Sequence, residues 1–375
     1  MKFLIITHVL HKSLDDKLYG YGPYIKEMNL WLKHVDEVKI VGPIDRNLEV
    51  SKIDLAYAHN NIIFDEVPLF SLVSRKEKLL TLLKLPFMFF VILKAMFWAE
   101  HIHLRCPGNM GLLGSIAQIF FPSKCKTAKY AGNWNPNAQG QAWSYKLQKK
   151  ILANTSCSKK MKILVYGEWP HQTKNVLPFF TATYKKEEII PIQPRKLIGT
   201  IKLLFVGSFN PGKRTVLALE VVKELVENKV DIHLDVMGDG KMRTEIERYI
   251  KNNALGNYVT LHGNQNADYV KSYYQKSHFL ILMSKSEGWP KVVAEAMFWG
   301  CVPISTNVSC VNYMIGYGSR GKIAEVDAKD ISQKISYYIK DTQEYEEASL
   351  AGVKWSQEYV LETFEDAIEE VLKEC

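Results

Sequence analysis

Glu287 and Glu295 stand eight positions apart in the stretch 284–306, SKSEGWPKVVAEAMFWGCVPIST. Two carboxylates at that spacing can accept hydrogen bonds from neighbouring hydroxyls of a polyhydroxylated ligand. Eight helical steps of about 100° return close to the starting direction, so both acids lie near one face. Glu287 alone also reads as a solvated carboxylate at a helix start. Glu295 is flanked by Ala294, Ala296 and Met297, and a carboxylate among apolar residues needs a partner. Lys213 ends the loop 207–213, GSFNPGK, ahead of Arg214. A lysine on a glycine-containing loop at a helix start is suited to an anionic phosphate. The plain alternative is a surface lysine, and the loop is not a Walker A sequence.

These groups must be held by strand–loop–helix units. Residues 278–283 read as a buried strand, and Val292, Val293, Ala296, Met297 and Trp299 recur at helical spacing. Pro290 suits the first helical turn and Gly300 the end. Upstream, 202–206 and 231–237 are apolar strands, the second running into Gly238. Residues 259–261 form another, followed by His262, Gly263 and Asn264. Repeated units of this kind predict a doubly wound parallel sheet with ligands at the carboxyl ends of its strands.

The first half repeats the plan. Strand 3–7 is followed by a loop holding Gly20 and Gly22, then a helix from about residue 24 to 33. Gly22 either lets a backbone approach a phosphate or makes a plain turn. Strand 100–106 carries His103 and Arg105, and strand 125–130 runs into Ala131, Gly132 and Asn133. His103 and Asn133 are either polar cleft-lining groups or hydrogen-bonded structure. Pro178, Pro191 and Pro194 mark a connection between two domains.

The 375 residues exceed one typical core. The six cysteines show no metal-ligand spacing and read as reduced thiols of a cytosolic protein. The residues beginning MKFLIITHVL read as a strand, not a signal peptide. Charge is uneven. Residues 1–194 hold 26 Lys and Arg against 15 Asp and Glu, a net +11, and residues 195–375 hold 22 against 25, a net −3. The basic half predicts an anionic partner. No nucleic-acid-binding signature is present, which argues against nucleic acid.

Arg75–Trp98 is the most unusual segment, with a Leu/Phe-rich run behind Arg75, Lys76 and Lys78. Lys84, Lys94 and Pro86 argue against a membrane span. The segment reads first as a helix with one face packed inward and Phe and Leu of another face touching an anionic membrane surface. A wholly buried helix is the alternative.

The motifs VGSFNPGKR, VMGDG, HGN and above all SEGWPKVVAEAMFWGCVPIS resemble those of retaining GT-B glycosyltransferases of family four, from bacterial surface-polysaccharide synthesis. YGYGPYIKEMNLW, HLRCPGN and KYAGNWN are similar to the polysaccharide-cluster subgroup. The resemblance implies two Rossmann-like domains facing a central cleft: an acceptor domain over 1–190 with the C-terminal helix of about 357–375 crossing back to it, and a nucleotide-sugar domain over 195–356. It implies a hexosyltransferase-type enzyme using a UDP- or GDP-sugar as substrate with no required cofactor or metal, and a glycan acceptor, lipid-linked, at the cytoplasmic inner face of the membrane. A soluble transferase with a small acceptor and a sugar-nucleotide-binding protein without turnover are the alternatives.

The resemblance also implies roles. Glu287 sits by the donor sugar, Lys213 on the diphosphate and Glu295 on the ribose. Backbone at Gly288, Trp289 and Lys291 cradles sugar or phosphate, and Gly22 approaches the diphosphate. Gly207, Ser208 and Arg214 belong to the phosphate loop, and Gly238, Gly263 and Asn264 lie near the base. Three departures stand out. Ser208 occupies the position of a usual arginine, for whose charge Arg214 could substitute. Trp289-Pro290 replaces Phe-Gly. A strand-end histidine of many relatives is missing at 130–132, leaving Asn133 and His103 as the nearby polar groups.

Overall fold

The computed structural model describes residues 1–51, 53–69, 75–138 and 140–374, with side chains of the helix Arg75–Trp98 described from residue 83 onward. The side chains of Arg75, Lys76 and Lys78, in which the sequence shows a basic cluster, lie outside the described residues. The chain divides into two compact units, Met1–Phe180 with Phe364–Cys375, and Thr181–Thr363.

The first unit opens on β1 (Lys2–Ile6), whose Phe3, Leu4, Ile5 and Ile6 are fully buried. An apolar run of this kind suits a strand covered on both faces. The next stretch corrects the expected glycine loop. Residues 12–21 form a hairpin, β2 (Lys12–Leu14) and β3 (Lys17–Tyr21), turned by Asp15 and Asp16 at φ 49° and 58°. Two central residues of positive φ make the tight turn that matches strand twist. Then come α1 (Gly22–Leu32), β4 (Glu37–Gly42), β5 (Asp54–Ala56), which pairs with β3, and β6 (Ile62–Glu66). α2 (Arg75–Trp98), β7 (His101–Cys106), α3 (Asn109–Ala117), β8 (Cys125–Tyr130), α4 (Trp143–Ala153), β9 (Met161–Tyr166) and β10 (Val176–Phe179) follow.

The main sheet has seven parallel strands in the order β10-β9-β8-β7-β1-β4-β6. The direction of winding reverses at β1, which lies between β7 and β4. Pro178, expected in a connection, lies in β10 instead. That strand is at the sheet edge, where a missing N–H is tolerated. The fully buried Lys129 of β8 lies over the rings of Tyr166 and Phe179, 4.4 and 4.3 Å from their centroids, and over Phe364 at 5.8 Å.

The second unit alternates strand and helix: β11 (Ile201–Val206), α5 (Thr215–Glu227), β12 (Ile232–Met237), α6 (Arg243–Asn252), β13 (Val259–Gly263), α7 (Ala267–Tyr274), β14 (Phe279–Leu282), α8 (Lys291–Phe298) and β15 (Val302–Thr306). It continues through α9 (Val311–Met314), β16 (Lys322–Ala324), α10 (Ala328–Lys340) and α11 (Thr342–Ser356). The sheet is parallel throughout, ordered β13-β12-β11-β14-β15-β16. α12 (Leu361–Lys373) crosses the division, and from Phe364 on it belongs to the first unit. Among the described residues no helix is long and apolar enough to cross a membrane.

Candidate active site

In the second unit the loops leaving β11, β12, β13 and β14 are tied to one another. Gly207 N–H donates to Met237 O, Gly238 N–H to Gly263 O, and Phe209 N–H to Asp239 O, each at 2.9 Å. Lys285 N–H donates to Gly212 O at 2.7 Å, which joins the loop of Lys213 to that of Glu287. The glycines follow from this stitching. A Cβ on Gly238 would lie 1.9 Å from Gly207 O, and one on Gly240 would lie 2.7 Å from Phe209 O. Gly238 thus has a packing reason, beyond the base contact implied for it. Gly263 takes φ 70°, and Asn264 beyond it is exposed.

Lys213 Nζ meets Glu287 Oε1 at 2.5 Å, with side-chain exposures of 24% and 13%. Arg214 takes φ 50° as the N-cap of α5 and donates to Met283 O at 3.2 Å. Its guanidinium therefore braces the end of β14. Ser208 Oγ accepts from Asn210 Nδ2 at 2.7 Å. Gly288 O accepts from Ser309 Oγ at 2.7 Å, which fixes the peptide before α8. Lys291 begins α8 behind its N-cap, Pro290. A half-buried cation and carboxylate at the sheet's carboxyl end, on loops braced by backbone bonds, form a preorganised charge pair.

Glu295 does have the partners that its apolar setting demands: its carboxylate accepts from Thr183 Oγ1 at 2.8 Å and from Tyr274 Oη at 3.0 Å. Burial, then the Glu295 charge, push the Tyr274 hydroxyl well above its ordinary pKa, so it stays a donor. Glu295 therefore faces a different set of groups from Glu287. Trp289, whose backbone is expected at the ligand, buries its ring against Trp355 and Tyr359, with centroids 6.1 and 5.8 Å away.

In the first unit three expected site residues already have structural partners. Gly22 N–H donates to Ile53 O at 3.0 Å, and a Cβ at Gly22 would sit 2.3 Å from that oxygen. The glycine admits the carbonyl of the turn just before β5, and its amide is already engaged. His103 does not line a cleft. It lies inside β7, 1% exposed, between Phe3 and Trp31, with Nδ1 2.8 Å from Thr127 Oγ1. Burial pushes its pKa well below 6.5, so it is a neutral core group. Asn133 makes local turns, its Oδ1 accepting from Asn135 N–H at 2.9 Å and its carbonyl from Gln141 Nε2 at 2.7 Å.

A cavity of about 290 Å³ opens at the carboxyl ends of β1, β4, β6 and β7. His8, Pro43, Pro68, Pro107, Asn109 and Tyr145 line it. It stands where the sheet changes winding direction, the usual ligand position in open α/β sheets. The ring of His8 comes so close to Gly108 that a Cβ there would be 2.8 Å from Nδ1. Burial, then the Arg105 charge, hold His8 below its ordinary pKa. Sequence reasoning missed His8, although its position directly after the first buried strand was a usable signal.

Two parallel α/β sheets, each with polar loops at its strand ends, define the GT-B class. Residues 187–355 match the family described as glycosyl transferases group 1. Among curated proteins, an uncharacterized glycosyltransferase of Methanocaldococcus jannaschii is 28% identical over 172 residues, 46% of this chain and 47% of that protein. A Campylobacter jejuni alpha-1,4-N-acetyl-D-galactosaminyltransferase, named for a diphospho-undecaprenol-linked substrate, is 29% identical over 34% of this chain and 31% of its own. The chain thus spans less than half the length of these relatives. The Anabaena HepE structure with UDP and glucose aligns over all of both chains with TM-score 0.66 at 13% identity. A Rickettsia africae glycosyltransferase aligns over 100% of this chain and 99% of its own with TM-score 0.65 at 14% identity. These likenesses show the fold.

Proposed function

We propose that the protein is a retaining glycosyltransferase that moves a hexosyl group from a nucleoside-diphosphate sugar to a hydroxyl of a glycan acceptor. The Lys213–Glu287 pair at the strand ends of a group 1 domain carries this reading. Donor binds the second unit. Lys213 takes the diphosphate and stabilises the charge that grows on it as the glycosidic bond breaks. Glu287 accepts from donor-sugar hydroxyls. Glu295 has two hydroxyl donors already, and a carboxylate offers about four lone-pair sites, which leaves room for ribose hydroxyls. Acceptor binds the first unit at the His8 cavity. The relatives named for UDP complexes and for undecaprenol-linked substrates support a UDP-sugar and a lipid-linked acceptor in surface-polysaccharide synthesis. The acceptor then meets the enzyme at an anionic membrane surface on the cytoplasmic face.

The test is a donor screen. A panel of UDP- and GDP-sugars is read by thermal shift, followed by release of nucleoside diphosphate with lipid-linked glycans. Binding to the native state raises the melting temperature. A shift with one nucleotide class and acceptor-dependent release are expected. No shift with any nucleotide sugar would overturn the reading.

A further inference from the structure

From residue 83 onward, α2 packs one side and leaves a largely apolar side exposed. Met88, Ile92, Ala95 and Met96 are fully buried against the first unit. Leu83, Phe87, Phe90 and Phe97 are 76, 56, 65 and 80% exposed. Positions 83, 87, 90, 94 and 97 recur every three or four residues and so form one stripe. The turn after α3 lies beside α2. Phe120 is 67% exposed and meets Phe89 edge-on at 6.4 Å. So much contiguous exposed aromatic surface marks a face that something covers.

Charge identifies the cover. No Asp or Glu occurs between Glu77 and Glu100, while Lys84 and Lys94 are exposed on the helix. Lys124 donates to the carbonyls of Phe97 and Ala99 and lies 5.8 Å from the Phe97 ring centroid. A second copy of the chain fits poorly. A two-fold contact centred on Phe90, the middle of the stripe, would carry Lys94 of both copies into an apolar seam to which the helix brings no Asp or Glu.

We propose that the outer face of α2, with Phe120, lies in the surface of an anionic lipid bilayer. Leu83, Phe87, Phe90 and Phe97 enter the acyl boundary, and Lys84 and Lys94 reach back to lipid phosphates. The helix lies in the interface plane. The proposal rests on the membrane partner inferred above and is independent of the sugar chemistry.

The experiment is co-flotation of the full chain with phosphatidylglycerol–phosphatidylcholine vesicles and with phosphatidylcholine alone. The wild type floats with the anionic vesicles and far less with the neutral ones. F87S/F90S/F97S lowers the bound fraction by about tenfold or more, because insertion scales with apolar area. K84E/K94E, which alters only exposed positions, removes the preference for anionic lipid and serves as the second variant should the first not fold. Equal flotation of either folded variant and the wild type overturns the proposal. So does a wild type that fails to bind vesicles, or one that is a dimer converted to monomer by the phenylalanine changes. Nucleotide-sugar thermal shifts on the same proteins separate the two readings. Shifts retained without flotation reject the membrane face alone.

Discussion

Lys213 and Glu287 neutralise one another across two loops, Nζ to Oε1 at 2.5 Å. A diphosphate reaching Lys213 must share its ammonium with a carboxylate that repels it. We predict that Glu287→Gln binds nucleoside diphosphate about three- to tenfold more tightly, since one nearby like charge is gone. Transfer nevertheless slows, because the donor sugar loses a hydroxyl acceptor. Calorimetry with UDP and GDP, beside initial rates, checks both. Weaker diphosphate binding would contradict the charge argument.

Lys213→Ala should reduce turnover by about 10²–10³, the loss typical of one preorganised group aimed at developing charge. Donor KM should change much less, since the charge is greatest in the transition state. A loss confined to KM would make Lys213 a simple ground-state anchor.

Glu295→Gln keeps the shape but presents an amide nitrogen to one of two hydroxyl donors. We expect weaker nucleotide-sugar binding, read by calorimetry. Thr183→Val and Tyr274→Phe remove the two partners while sparing the carboxylate. If these two weaken donor binding as much as Glu295→Gln does, orientation of the carboxylate is their contribution. Unchanged affinity in all three would remove Glu295 from the donor site.

Gly22→Ala should destabilise the first unit. Its Cβ would fall 2.3 Å from Ile53 O, so backbone must shift. Overpacking of this kind costs about 1–3 kcal/mol. Denaturant unfolding measures it. A neutral result would mean that β5 and its flanks move freely.

Acid should weaken the fold through His11. Its Nδ1–H donates to Pro43 O at 3.0 Å and Nε2 accepts from Tyr57 Oη at 2.9 Å, a neutral tautomer locked at both nitrogens. Burial pushes its pKa down to about 4. As pH falls below 6.5 the unfolded chain takes up a proton, whereas the native ring resists until about 4. Stability is therefore full above 6.5 and declines across that interval, by up to about 3 kcal/mol from this group. Unfolding curves at pH 7 and 4.5 test it, and a His11→Gln variant should show a flatter pH dependence.

Much of the scaffold was readable because both sheets are parallel and buried, so their strands are apolar runs separated by helical periods. The Lys213 and Glu287 loops stood out by residue type at strand ends. The hairpin at residues 12–21 did not, because its strands are short and Gly20 and Gly22 suggest a phosphate loop more strongly than Asp15-Asp16 suggests a turn. His103 misled for another reason. A histidine in a strand declares neither its depth nor a partner such as Thr127. Thr183 and Tyr274 lie 112 and 21 positions from Glu295, beyond any local pattern.

The aromatic cage around Lys129 takes one wall from Phe364. Lys162 likewise reaches Val371 O at 3.0 Å, and Lys33 reaches Glu365 at 2.6 Å. The earliest-made half therefore waits on residues synthesised after the other half is already whole. During translation the amino-terminal sheet emerges with an open flank, and a protein cut after residue 180 should expose Phe179 and Phe180 as sticky surface.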